Sequence, residues 1–197
     1  MKLIIQLLFL FFFNFTVSQD YREATILFND SSSVKGYGEI RNNAIYFKVQ
    51  QKDKPSKWSF DITKGLLFSG YGYSEKYEYV KFEKNTNPKI MEVMEEGRLT
   101  LYRFSKSVYR NNGFTSQNGL MNSFLTEGLK ETYYVKRKNE ELATDISFSF
   151  KFRSKIYFSD CEKIIQKINK GKFTKNNIPE IVYYYNDYCD ETEDNIN

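Results

Sequence analysis

The sequence predicts an α+β fold: an antiparallel β roll or sandwich of about seven or eight strands followed by a C-terminal helical hairpin. Three observations carry this. Residues 23–104 run as short aromatic and β-branched stretches broken by turn residues. After residue 140 the apolar period lengthens from two toward helical spacing. The two cysteines, Cys161 and Cys189, fall at the outer ends of the two predicted helices.

The strands follow in chain order. "ATILF", 24–28, precedes the turn "NDSSS". "GYGEI", 36–40, leads through Asn42-Asn43 into "AIYFKV", 44–49, and paired asparagines suit a two-residue hairpin because Asn tolerates positive φ. Ile45, Phe47 and Val49 alternate with Tyr46 and Lys48, which predicts one buried and one wet face. Trp58, Phe60 and Ile62 alternate likewise in "KWSFDI". "KYEYVKF", 76–82, has aromatic or aliphatic residues on both sides. "NTNP" is a turn, and "KIMEVME" pairs with "RLTLYRF" across Glu96-Gly97. "ETYYVKR", 131–137, is the last strand. The "GYG" at 36–38 recurs at 70–72, where glycine marks bends or bulges rather than a repeat.

Residues 105–130 are rich in Asn, Ser and Gly and are read as a long loop, either a lid or partner-binding segment or a flexible insertion. The β domain thus spans 19–146, and a helical segment, 147–189, packs on it. Within that segment, 147–158 reads equally as a strand or a first helix. Ser159 to Glu162 fits a capping box that starts a helix striped by Ile164, Ile165 and Ile168, and Gly171 suits its end. A second helix starts at Asn177, with Pro179 and Glu180 in its first turn and Ile181, Tyr184, Tyr185 and Tyr188 on one face. Antiparallel packing sets the start of one helix beside the end of the other, so a Cys161–Cys189 disulfide is expected. In the chain-entropy description it contributes roughly 3.5 kcal/mol. A free thiol or a metal pair is the alternative, and zinc would lack ligands in a chain without histidine.

The disulfide presupposes an oxidising compartment. Lys2, the apolar run Leu3 to Phe13, and small residues Thr16 and Ser18 have the layout of a signal peptide cut after Ser18. The run is shorter than the ~20 residues of a membrane span. No later stretch approaches that length, so no transmembrane span is expected in the mature chain. Export to a periplasm, cell surface or medium is the expected localisation. Without Lys2, 28 basic residues face 25 acidic ones, and the acidic tail 190–197 carries four acids in "DETED". The net charge of +3 is modest, which with export argues against a nucleic-acid partner.

The absence of histidine removes Ser-His-Asp and Cys-His hydrolysis and His-ligated metal. No phosphate-binding loop, dinucleotide fingerprint or calcium loop is present, so no cofactor and no metal are assigned. No catalytic residue is assigned either. A carboxylate-dependent glycan hydrolase is the alternative reading, with Glu39, Asp61, Glu78, Glu92 and Glu95 as the available acids. The leading reading is a non-catalytic envelope binding module for a protein or glycan. Tyr46 with Lys48, Tyr77 and Tyr79 with Lys81, and Tyr134 with Lys136 alternate on strands and are the candidate binding residues.

"KYEYVKF", "LYR", "YYVKR" and "YFSDCEKIIQKI…IVYYYNDYC" together resemble a family of uncharacterised exported bacterial envelope proteins, over about residues 34–189. In that family a β-rich body precedes a "YFxDC…YNxYC" helical end. The resemblance implies a periplasmic or cell-surface location and no activity, and segment 105–130 is where this chain is expected to differ.

Overall fold

In a computed structural model of the chain, residues 21–70, 72–115 and 121–189 are described; the expected signal peptide, 1–18, and acidic tail, 190–197, lie outside them. Ten strands are present: β1 Arg22–Phe28, β2 Ser33–Arg41, β3 Ala44–Lys48, β4 Ser56–Trp58, β5 Thr63–Gly70, β6 Tyr73–Val80, β7 Lys89–Glu95, β8 Leu99–Thr115, β9 Met121–Arg137 and β10 Thr144–Asp145. Three helices follow, α1 Phe150–Tyr157, α2 Glu162–Asn169 and α3 Ile178–Tyr188, with a 3-10 turn, Lys175–Asn177, leading into α3.

All strands belong to one antiparallel sheet, ordered β10-β9-β8-β7-β6-β5-β1-β2-β3-β4. The fold is α+β as predicted, but there is no second sheet among the described residues, and the strand count is ten. The two additions are β5 and β10. β5, "TKGLLFSG", lies in the middle of the sheet and has no clean alternation to reveal it. β10 is two residues long.

The sheet curls without closing. Asn43 sits at positive φ in the β2–β3 hairpin and reaches across to β7, where its Oδ1 accepts from Ile90 N at 2.8 Å and its Nδ2 donates to Pro88 O at 3.0 Å. Tyr79 Oη donates to Trp58 O at 3.0 Å and accepts from Ile45 N at 3.3 Å. Side chains thus bridge the gap between β3–β4 and β6–β7 that backbone ladders leave open. The curl encloses Ala24, Ile26, Ile45, Phe47, Leu66, Phe68 and Ile90. Gly36 is required here, since a Cβ would lie 2.3 Å from Lys48 O and 2.7 Å from the Phe47 ring.

Farther along the same face, Leu99, Leu101 and Val135 meet the helices through Phe158, Ile164, Ile168, Ile178, Ile181, Val182 and Tyr185. Arg103 separates the two cores; its guanidinium donates to Glu92 at 2.6 Å and Glu131 at 3.2 Å. The opposite face carries a smaller cluster, Val80, Met91, Tyr102 and Ala143. Glu78 is buried on that face against Lys76 at 3.0 Å and Lys64 at 3.3 Å.

Four other expectations change. The stretch 105–130 is not a long loop: Ser105 to Thr115 pairs in register with Met121 to Glu131, and only 116–120 lie outside the described residues. The ladder of β7 on β8 ends at Arg103 and that of β10 on β9 at Tyr134. The outer pairs therefore form a two-stranded ribbon about 35 Å long. Its polar sequence has little alternation because neither ladder edge lies against another strand. "KWSFDI" is a strand only to Trp58; the chain turns there, with Thr63 N donating to Ser59 O, and Ile62 is exposed.

The first helix of the expected hairpin begins at Glu162 with Cys161 as N-cap, and no side chain caps it. Ser159 and Asp160 belong to the turn from α1, and Asp160 instead binds Arg137. The capping box stands at Thr174 and Asn177, ahead of α3. The ambiguous 147–158 stretch holds a helix, α1, so the C-terminal unit has three helices rather than two. Cys161 and Cys189 form the expected disulfide, with Cα atoms 5.6 Å apart.

Candidate functional site

The candidate Tyr and Lys residues do not share one exposed face. Lys48 is buried, donates from Nζ to Gln51 O at 2.6 Å and lies over the Tyr21 ring. Tyr46 carries the Arg41 guanidinium 4.6 Å above its ring. Tyr77 packs edge-on against Phe68 inside the curl, and burial, then the neighbouring Glu92 charge, push its phenol up to about 12. Tyr79 is occupied by its two backbone hydrogen bonds, and burial raises its phenol. Lys81 pairs with Glu141 at 3.2 Å. Tyr134 packs on Phe82 on the opposite face, and Lys136 is half-buried on β9 beside it.

The carboxylates are similarly dispersed. Glu78 and Glu92 are held by the cations already named. Glu39 is 3.9 Å from Arg41, Asp61 accepts from Ser59 at 2.9 Å, and Glu95 lies opposite Leu101 on β7. None of these five lines the cavity formed by β1, β2, β3 and β4.

That cavity opens at the mouth of the curl. It measures about 320 Å³ and is lined by Ile26, Phe28, Val34, Phe47, Lys48, Val49, Asp53, Lys54, Ser56 and Trp58. The β1, β2, β3 and β4 strands converge there. Ile26 and Phe47 are buried and supply apolar walls at its base. Phe28 and Trp58 meet edge-to-face with ring centroids 5.3 Å apart. Val34 and Val49 stand exposed among the lining residues, at 40% and 57% of full accessibility. Lys54 and Asp53 are exposed and supply charge beside these apolar groups. Asp53 Oδ2 accepts from Gln50 N at 2.9 Å, which fixes the β3–β4 loop.

One polar group in this lining lacks a partner. The Trp58 indole Nε1 is buried and meets no hydrogen-bond acceptor among the described residues. A buried donor left unpaired costs about 1–3 kcal/mol. The size falls in the range of small-ligand sites, which are mostly apolar with a few polar groups that fix orientation. The arrangement can therefore hold an apolar body and attract negative charge through Lys54.

The alternation identified Ile45, Phe47 and Trp58 as inward-facing but not a space between them, and it misplaced Val49, which is exposed, and Lys48, which is buried. The one usable signal was the single tryptophan beside a strand end. No protein-family model matches this chain, and no curated protein or solved structure shows significant similarity to it.

Proposed function

We propose that the protein is an exported, non-catalytic envelope binding module whose site is the cavity at the mouth of the β roll. The occupant is an apolar group, either an apolar segment of an envelope protein or an amphipathic anion. The mostly apolar lining, with exposed Lys54 among its residues, is the observation that carries this reading. The Cys161–Cys189 bridge is compatible with an oxidising compartment, as are the N-terminal residue pattern and the resemblance to exported envelope proteins. Asp53 is the one carboxylate lining this cavity, which favours binding over two-carboxylate glycan hydrolysis at this site.

Calorimetric titration of residues 19–197 with decanoate tests the reading, with cellobiose as the glycan control. Saturable binding of decanoate is expected, weakened at least about tenfold in Val34→Glu, because a carboxylate beside the apolar lining repels the anion and wets the walls. Heat from cellobiose alone, or decanoate binding unaltered by Val34→Glu, would contradict it.

A further inference from the structure

The outer face of α1 is apolar and uncovered. Phe148, Phe152 and Ile156 are spaced by four residues and are 65%, 68% and 60% exposed. The helix turns its other side inward: Ser154 is fully buried, Phe150 and Tyr157 are half-buried, and all three lie within one arc of the helical wheel. On the outer arc, Lys151 and Lys155 border the Phe152–Ile156 stripe on one side and Arg153 borders it on the other. The Arg153 guanidinium also lies 5.2 Å from the Phe148 ring centre, joining that ring to the same surface.

From Ile146 to Ser159 there are three basic residues and no acidic one. On the Arg153 side, Glu83 and Asp145 line one cavity with Arg153, whose Nη1 donates to Asp145 O at 2.9 Å. Asp145 Oδ1 accepts from Ser147 N and Phe148 N, and Asp160 holds Arg137 and Tyr185. Lys151 and Lys155 stand on the other border. A short helix with Phe152 and Ile156 outward, Phe148 just ahead of it and lysines along one border has the design of an interfacial anchor. Its apolar stripe enters the acyl boundary while the cations meet headgroup phosphates.

We propose that α1, with Phe148, docks the protein on an anionic lipid surface. This is independent of the cavity at the roll's mouth, which draws on different strands. Charge complementarity selects the occupant: a second copy would bring the same cations against these, whereas an anionic bilayer offers both the apolar layer and the opposite charge.

Co-sedimentation of residues 19–197 with vesicles of phosphatidylcholine and phosphatidylglycerol in equal parts tests the proposal, with phosphatidylcholine alone as reference. Partition onto the anionic vesicles is expected to exceed that onto the reference by at least about tenfold, and to fall when salt screens the headgroups. The Phe148→Ser/Phe152→Ser variant is expected to lose most of the binding with an unchanged circular dichroism spectrum and melting temperature, since both rings are exposed. Lys151→Gln/Lys155→Gln is expected to erase the preference for anionic lipid. Equal partition onto both vesicle types, or undiminished binding by the Phe variant, would overturn the proposal. So would a dimer in sedimentation analysis that the Phe variant dissociates, because the face would then belong to a second copy.

Discussion

At the residue scale, a few polar side chains fix how the elements meet. Arg137, at the end of β9, donates to Tyr157 O at 2.8 Å and to both Asp160 oxygens at 3.0 Å, with its guanidinium 4.3 Å from the Tyr157 ring centre. Asn186 on α3 replaces a strand neighbour for β8, accepting from Leu99 N and donating to Leu99 O, each at 3.0 Å. Gly97 makes room for it, since a Cβ there would lie 2.4 Å from the Asn186 amide. The buried phenols set the response to alkali. Tyr102 and Tyr157 are raised by burial and by their hydrogen bonds to Glu78 and Glu140, and Tyr77 is raised to about 12. Below the ordinary tyrosine value both folded and unfolded chains hold these protons. Above it, and up to about 12 for Tyr77, the unfolded chain releases its proton while the native chain retains it, so stability falls as pH rises. Absorbance titration of phenolate in the folded protein is expected to show a late group of tyrosines that ionises together with loss of the near-ultraviolet circular dichroism signal. Ionisation of every tyrosine in one early step, with the fold intact, would contradict this.

At the scale of elements, the helices are held to β7–β9 by packing and tied to each other by the disulfide. Cys161→Ser/Cys189→Ser is expected to lower stability by about 3 kcal/mol, measured by denaturant titration, because the bridge closes the segment that contains α2 and α3. The β8–β9 ribbon plays a different part. Beyond Arg103 and Tyr133 its ladder pairs only with itself among the described residues, so the body does not depend on it. Replacing 106–130 by Asn-Gly, which joins Ser105 to Glu131 in register, is expected to leave the melting temperature of the body within a few degrees of the parent. A large loss would show that the ribbon supports the core.

These two elements also mark what local sequence reveals. The Asn42-Asn43 hairpin and the Ile164–Ile168 stripe were legible because each is settled within one or two turns of chain, and the cysteine pair, 28 residues apart, because the chain has only two cysteines. The ribbon was hidden because its pairing partners lie up to 26 residues apart, as in Ser105 with Glu131, and neither ladder edge imposes alternation. Position α1 was ambiguous for a related reason: "SFSFKF" alternates like a strand, yet Phe148, Phe152 and Ile156 also fit a helical stripe.

At the scale of the whole molecule, one face of a single open sheet carries two cores. The helices cover the β7–β9 part, and the curl of β1–β7 covers the rest, leaving a mouth. No sequence pattern encodes that mouth, because its lining comes from four strands and its volume from the curl that Asn43 and Tyr79 hold. Among the described residues no helix is long and apolar enough to cross a membrane. The cavity therefore stands at one place and the basic, aromatic face of α1 at another, so ligand capture and surface docking are separable properties.

The single tryptophan lines the cavity and reports on its occupation. An amide spectrum of ¹⁵N-labelled protein contains one indole resonance and reads that side chain directly. On saturation with decanoate it is expected to shift, as the ligand packs beside the ring. An indole signal that stays in place while decanoate binds would locate the ligand elsewhere and remove the mouth of the roll as the binding site.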